Sequence, residues 1–158
     1  MIRIKVCCRH ALLALLIATA PAGANPSPYP ATAYPVTFAD VAALRPAQGA
    51  IPQAYGSGPS QFGLLWLPAR REPAPLVVLV HGGCWLADHG VEHIQPLASA
   101  LARAGYAVWA PEYRRVGEGG GGWPGTFDDI RASLAAAATL NPARIDASRT
   151  VLAGHAGG

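Results

Sequence analysis

Charged residues are scarce in this chain of 158 residues, since Asp, Glu, Lys and Arg together make up only 13%. This low charge excludes the long acidic or basic tails of disordered proteins. Aromatic residues are also few, at 8%, but 51% of the residues are hydrophobic, as in a globular domain. Glycine and proline are abundant without a collagen-like period, which excludes a triple helix. The length suits one domain.

No apolar run is long enough for a comfortable bilayer span, and one short run lies close to the N-terminus, over residues 11–18. Basic residues precede this run and a small-residue site follows it: Arg3, Lys5 and Arg9, then Ala22-Gly23-Ala24. This layout predicts a signal peptide over 1–24, cleaved after Ala24, and therefore a periplasmic or secreted protein. An uncleaved membrane anchor is the alternative, which the clean cleavage site disfavours. We expect residues 25–50 to form an exposed lead-in, with no stable membrane insertion after cleavage.

Removal of the signal peptide changes the charge and the cysteine content. It takes away three of the 12 basic residues and none of the nine acidic ones, so the net charge of +3 falls to zero. A neutral chain lacks the basic footprint that binds phosphates, and we therefore expect no nucleic-acid partner. Of the three cysteines only Cys84 remains, which excludes an internal disulfide.

The hydrophobic pattern predicts alternating strands and helices over residues 51–158. Two short strands joined by a turn come first, at Ile51–Tyr55 and Gln61–Leu67, and we expect them to pair antiparallel. Continuous apolar runs then predict buried strands, the first at Leu76–Val80. The later elements are strands at Tyr106–Ala110 and Thr150–Ala153 and helices at Val91–Ala104 and from Thr126 or Phe127 to Leu140. This order predicts an α/β fold with a mostly parallel sheet and flanking helices.

The predicted helices carry further signals. Ile94, Leu97, Ala98 and Leu101 recur at helical spacing and predict a buried stripe. Asp128 and Asp129 are expected in the first turn of the later helix, where the helix dipole favours them. No helix follows the last strand, so we expect the C-terminal part of the domain to be missing from this sequence.

A glycine-containing loop follows the first buried strand: His81-Gly82-Gly83-Cys84-Trp85. Two glycines allow a sharp turn in which backbone N–H groups point outward, and such donors stabilise the oxyanion of a tetrahedral intermediate. An ordinary glycine turn with a structural histidine is the alternative. The combination of His, two Gly and Trp directly after a buried strand favours the oxyanion loop.

The last strand leads into a second turn, Gly154-His155-Ala156-Gly157-Gly158. A nucleophile elbow has the pattern Gly-x-Ser-x-Gly, because only small residues fit around the strained turn that exposes the serine. Ala156 holds the serine place in this pattern. An equally good alignment supposes that a serine was lost between His155 and Ala156. Either way no serine is present, and alanine has no hydroxyl with which to attack a carbonyl.

With these motifs the sequence resembles the α/β-hydrolase superfamily, in particular esterases with an HGG-x-W oxyanion loop, the kynurenine-formamidase-like and hormone-sensitive-lipase-like enzymes. The resemblance runs from about residue 51 to the end, and besides the two turns it is carried by Gln61–Pro68, Glu112-Tyr113-Arg114-Arg115, Gly122-Trp123-Pro124 and Asp128-Asp129. It implies an oxyanion hole formed by the backbone of Gly83 and Cys84 and, if Ala156 holds the serine place, of Gly157. It also implies that Trp85 and Trp123 border the acyl pocket or pack beside it. The acidic and histidine members of the triad would follow Gly158.

The resemblance implies a serine-type carboxylic ester hydrolase by descent, acting on a small ester or amide without a cofactor, with this chain inactive because the triad is incomplete. An aryl-formamidase is the alternative among enzymes, and a non-catalytic binding module of the same fold is the alternative outside them.

His89 and His93 stand four residues apart beside Asp88 and Glu92, but no third ligand is evident and we expect no metal.

Overall fold

The computed structural model describes residues 36–44 and 49–158. The predicted signal peptide lies outside these residues, as does most of the predicted lead-in. The described residues belong to one compact unit that spans Pro35–Gly158. Among them, no helix has the length and apolar character that a membrane crossing requires.

Five strands form one mixed sheet in the order β1-β2-β4-β3-β5. Their bounds are β1 Ile51–Ala54, β2 Phe62–Trp66, β3 Ala74–Val80, β4 Ala107–Pro111 and β5 Ile145–Gly154. β1 pairs antiparallel with β2, and β2 with β4. β3 lies parallel to both β4 and β5. The α/β fold with flanking helices and the antiparallel start are confirmed, and the parallel part of the sheet is its β4-β3-β5 half.

The described residues include three α-helices, α1 Phe38–Ala42, α2 Gln95–Arg103 and α3 Gly125–Ala137, of which α2 and α3 pack against the sheet. α1 begins with a capping box, in which the Asp40 amide donates to Thr37 Oγ1 at 3.2 Å and the Thr37 amide donates to Asp40 Oδ2 at 2.8 Å. A 3₁₀ turn at Val91–Ile94 leads into α2. Gly105 follows α2 with φ of +100°, so it ends the helix in the left-handed conformation that glycine adopts without strain.

The core lies on both faces of the sheet because β3 alternates its side chains between them. Leu76 and Val78 pack with Trp109 on the face that α3 covers, whereas Val77 and Leu79 pack on the α2 face. Each fully buried side chain of this size contributes about 1.5–3 kcal/mol to stability. The continuous apolar run of β3 therefore reflects burial on both sides, as the sequence predicted.

Two predictions about burial are wrong. β5 is an edge strand among the described residues, and its Val151 and Leu152 are 59% and 58% exposed, although the sequence predicted a buried strand. Leu97 is 49% exposed, whereas Ile94, Ala98 and Ala102 form the buried stripe of the α2 segment. The buried residues recur every four positions, at 94, 98 and 102, and Leu97 lies about 100° around the helix from Ala98, outside this stripe.

Candidate active site

The glycine loop, residues 81–85, and the elbow, residues 154–158, follow neighbouring parallel strands. β3 ends at Val80 and β5 at Gly154, and these two residues are partners in the sheet register. The His155 amide donates to the Val80 carbonyl at 3.1 Å, which continues the pairing into the elbow. Both turns therefore lie at the carboxyl edge of the sheet, where ligands bind in open α/β folds.

The elbow is a tight turn around Ala156. Ala156 has φ of +52°, a left-handed conformation that is strained for a residue with a Cβ atom. The Gly158 amide donates to the His155 carbonyl at 3.0 Å and closes the turn. A Cβ atom on Gly154 would collide with the Gly158 carbonyl oxygen, and one on Gly158 would lie 2.7 Å from the His81 carbonyl oxygen. The spacing of small residues that the sequence showed is therefore required by the turn.

The glycine loop holds three consecutive residues at positive φ: Gly83 at +114°, Cys84 at +53° and Trp85 at +59°. Two hydrogen bonds fix this conformation, from the Leu86 amide to the Gly83 carbonyl at 3.0 Å and from the Val116 amide to the Trp85 carbonyl at 2.7 Å. Strain of this kind persists only where the surrounding contacts enforce it, and it is concentrated at functional sites.

The two turns are in direct contact. Gly82 leaves no room for a side chain, since a Cβ atom there would lie 2.8 Å from Ala156 Cβ and 3.1 Å from the Gly157 amide nitrogen. A Cβ atom on Gly157 would lie 3.7 Å from the Cys84 amide nitrogen. The structure thus brings together Cys84, Ala156 and Gly157, while the role of Gly83, Cys84 and Gly157 as oxyanion donors stays a prediction.

The side chains of His81 and Glu112 form a buried pair at the start of the glycine loop. The sequence did not predict this pair. The imidazole of His81 is fully buried, with Nε2 2.8 Å from Glu112 Oε1 and Nδ1 2.8 Å from the Gly82 carbonyl oxygen. Both ring nitrogens therefore face oxygens within the protein, and neither is directed to a substrate as a general base. The only sequence signal for this pair was the Glu112–Arg115 block.

Further bonds fix the Glu112 carboxylate. Its Oε2 accepts from the Val91 amide at 3.0 Å and its Oε1 from the Tyr113 amide at 2.9 Å. Burial raises the pKa of Glu112, but the hydrogen bonds from His81, Tyr113 and Val91 outweigh burial and bring the pKa below its usual value. Tyr113 stacks on the His81 ring at 4.3 Å and donates to the His81 carbonyl at 2.7 Å.

Asp129 anchors the loop between β4 and α3. Its Oδ2 accepts from Arg114 Nε at 2.8 Å, and its Oδ1 accepts from Arg114 Nη2 and Gln61 Nε2, both at 2.7 Å. Burial raises the pKa of Asp129, and the bonds from Arg114 and Gln61 lower it further than burial raises it. Asp128 lies in the first turn of α3, as predicted for a carboxylate that the helix dipole favours. Asp129 lies past that turn, is 1% exposed, and accepts both hydrogen bonds of an arginine fork.

Trp85 and Trp123, the predicted pocket residues, line one cleft of about 110 Å³, which we call the aromatic cleft. Phe127 connects them, with ring centroids 6.2 Å from Trp85 and 5.0 Å from Trp123. Trp123 is 81% exposed and lies at the rim. Phe127 was missed as a pocket residue because the sequence indicated only that it starts a helix.

His89 and His93 do not share a helix face, because His89 precedes the 3₁₀ turn in which His93 lies. His93 Nδ1 donates a 2.8 Å hydrogen bond to the Gly90 carbonyl oxygen. Burial lowers the pKa of His93, and the nearby His81 and His155 lower it further. Within residues 36–44 and 49–158, no group of three or more His, Cys, Asp or Glu residues is arranged to hold a metal ion.

Comparison with known proteins gives a family and a set of structural neighbours. The BD-FAE family model matches residues 65–158, more than half of the chain. Two similar solved structures are a candidate thioesterase of Silicibacter sp. TM1040, 30% identical with a TM-score of 0.56, and esterase B of Lactobacillus rhamnosis, 28% identical with a TM-score of 0.58. Esterase 2 of Thermogutta terrifontis is 17% identical with a TM-score of 0.59 and supports the fold alone.

The match covers about 70% of this chain but only 39% of the Silicibacter protein and 37% of esterase B, so the chain spans less than half the length of these neighbours. For the Thermogutta enzyme the covered shares are 68% and 42%. No curated protein sequence matches the chain significantly.

Proposed function

This chain belongs to the BD-FAE family, an esterase-like family of α/β-hydrolase fold, and from that premise we propose that it descends from a serine-type carboxylic ester hydrolase that acts on small uncharged esters. In such an enzyme a serine attacks the ester carbonyl, a histidine moves the proton, and backbone amides hold the oxyanion. The two neighbours are more than twice as long as the part that matches this chain. The proposed activity is therefore that of an enzyme of the neighbours' full length.

One observation carries the proposal: Ala156 lies at the top of a strained turn, beside the amides of the glycine loop. Its φ of +52° and its glycine neighbours match the geometry of a nucleophile elbow. The closeness of Gly157 to the Cys84 amide supports a shared oxyanion hole, to which Gly83 also contributes. Strained backbone of this kind is concentrated at functional sites.

The methyl group of Ala156 is not a nucleophile, so we propose that this chain does not hydrolyse esters. His81 is fully buried and paired with Glu112, and so it is not placed to act as a base at Ala156. The oxyanion amides alone lower the barrier only for a reaction that has an attacking group. The chain therefore retains the part of the site that binds the carbonyl and lacks the part that attacks it.

The rate of p-nitrophenyl butyrate hydrolysis by this chain tests the proposed inactivity. We expect no turnover above the buffer rate. Turnover that a serine-directed phosphonate abolishes would overturn it. The gene sequence around and after codon 156 separates the descended enzyme from a binding module: a serine codon one change away, followed by in-frame aspartate and histidine codons, supports the enzyme, whereas a reading frame without them supports the module.

Export through the predicted signal peptide forms part of the proposal. Its support is the layout of residues 1–24, with basic residues, a short apolar run and a small-residue site in that order. The single cysteine that remains after cleavage, Cys84, is exposed in the glycine loop. An exported hydrolase would meet its substrates in the periplasm or the medium.

A further inference from the structure

A second cleft, separate from the aromatic cleft, reaches the elbow from the side of α1. It encloses about 390 Å³ between α1 and the segment formed by the 3₁₀ turn and α2. We call it the α1 groove. Phe38 and Val41 line it from α1, His93 and Leu97 from the opposite segment, and His155 from the elbow.

The α1 groove collects large apolar side chains that are open to solvent. Phe38 is 56% exposed and Leu97 is 49% exposed, and Val36 at the groove entrance is 60% exposed. On an ordinary protein surface, exposed apolar residues are single and scattered. When they are gathered in one concave surface, they are typical of a ligand site. Helical spacing predicted that Leu97 is buried. Its place in the groove explains why an apolar residue stands at this exposed position.

The described lining residues of the groove include no Asp, Glu, Lys or Arg. Burial lowers the pKa of His93, which favours its neutral form. A charged group placed in the groove would lose hydration without gaining a partner, and this loss costs free energy. The lining therefore favours an uncharged apolar group.

Ring contacts lead from the groove to the nucleophile place. The centroid of the Phe38 ring is 5.8 Å from that of His93, and the His93 ring is 5.6 Å from that of His155. His155 is the residue directly before Ala156. The α1 groove therefore reaches the residue next to Ala156.

We propose that the α1 groove receives the uncharged apolar half of an ester whose carbonyl lies over Ala156. This inference rests on the proposed function and extends it. An ester has two halves, an acyl group and an alcohol group, and an enzyme that acts on it holds both near the reacting carbonyl. The aromatic cleft beside Trp85 has room for one half of the ester, and the α1 groove receives the other half. Because the α1 groove has the larger volume, it receives the longer half, which is aliphatic or aromatic.

Binding of intact esters to this chain tests the groove, since Ala156 leaves the ester uncleaved. The probes are ethyl hexanoate and monoethyl adipate, which differ in a terminal carboxylate, with affinities measured by isothermal titration calorimetry. The variant is Leu97→Asp, and Tyr106→Asp is the matched control because Tyr106 is 41% exposed and lies outside the groove. Circular dichroism verifies that both variants remain folded.

We expect Leu97→Asp to weaken the binding of ethyl hexanoate about tenfold, because burial of a leucine-sized contact in the groove is lost. Tyr106→Asp leaves the affinity unchanged, and monoethyl adipate binds the unmodified chain about tenfold more weakly than ethyl hexanoate does. Equal affinities of the two variants for ethyl hexanoate would overturn the inference, as would the absence of binding to the unmodified chain.

A third probe, 1-hexanol, separates the groove from the proposed function, since it carries the apolar chain without the ester carbonyl. Tighter binding of ethyl hexanoate than of 1-hexanol supports both. Equal affinities of the two probes, with the sensitivity to Leu97→Asp retained, contradict the recognition of an ester carbonyl and still support the groove as a site for apolar groups.

Discussion

The indole Nε1 of Trp85 donates a 2.7 Å hydrogen bond to the backbone carbonyl of Gly157. This bond joins the turn after β3 to the turn after β5, which are 72 residues apart in the chain. It also fixes the peptide unit that joins Gly157 to Gly158, which directly follows the Gly157 amide, one of the proposed oxyanion donors. The geometry of the site therefore depends on a side chain that the sequence suggested only as a pocket wall.

Replacement of Trp85 by phenylalanine keeps an aromatic ring and removes the donor. We expect the elbow to lose about 1 kcal/mol of local stability, the net value of one hydrogen bond. Hydrogen exchange of the Gly158 amide, which closes the elbow, is then faster by about fivefold. Trp123→Phe is the matched control, since Trp123 is 81% exposed at the rim of the aromatic cleft. Equal exchange in the two variants would show that the Trp85 bond does not hold the elbow.

Neighbouring aspartates on α3 allow a second comparison. Asp129→Asn breaks a buried arginine fork, and we expect a loss of about 3 kcal/mol in the free energy of unfolding. Asp128→Asn removes a carboxylate that is 56% exposed and 3.6 Å from an exposed arginine, and we expect at most about 0.5 kcal/mol. Urea unfolding measures both. Losses of similar size would contradict the assigned role of Asp129 as the anchor of this loop.

The sequence predicted those features that depend on local pattern. The continuous apolar run of β3 predicted a strand buried on both faces, and the spacing of Gly154, Ala156 and Gly158 predicted a tight turn that the structure contains. The strand and the turn are each encoded in consecutive residues, although the lack of room at Gly158 comes from the distant His81 carbonyl oxygen.

The remaining features depend on contacts between distant residues. His81 and Glu112 are 31 residues apart, and nothing in either segment identifies the other as its partner. The burial of Asp129 requires an arginine from the loop after β4, and helical periodicity does not show which of two adjacent stripes of α2 is buried. Likewise, the apolar residues of β5 indicated a strand correctly but gave no information about its place in the sheet.

The lowered pKa of Glu112 predicts a loss of stability in acid. A carboxyl group whose pKa is lower in the folded state stabilises the fold above its ordinary value of 4.5, and this contribution disappears as the pH falls through the folded pKa. We therefore expect the free energy of unfolding to fall below about pH 4.5 and to fall less steeply in Glu112→Gln. Urea midpoints measured from neutral to acid pH give both slopes. Identical slopes would mean that Glu112 does not gain its stabilising bonds on folding.

Export predicts a specific N-terminus. When the chain is expressed from its own start in a bacterium that exports proteins, the processed form begins at Asn25 and is found in the periplasm or the medium. Mass spectrometry of the intact processed protein identifies the first residue. Arg3→Glu together with Lys5→Glu removes the basic charge ahead of the apolar run, and we expect it to reduce export. An unprocessed chain in the membrane fraction would instead indicate an anchor.

The central claim is that Ala156 occupies the place of an esterase nucleophile. The most direct measurement is the rate of p-nitrophenyl acetate hydrolysis by a chimera that continues after Gly158 with the C-terminal part of Lactobacillus rhamnosis esterase B. Three versions are compared: the chain as it stands, Ala156→Ser, and a serine inserted between His155 and Ala156. The account predicts a rate no higher than that of buffer with alanine and a rate on the order of 10³-fold above the buffer rate in one of the serine versions. Serine versions that melt cooperatively yet hydrolyse no faster than the alanine version would contradict it.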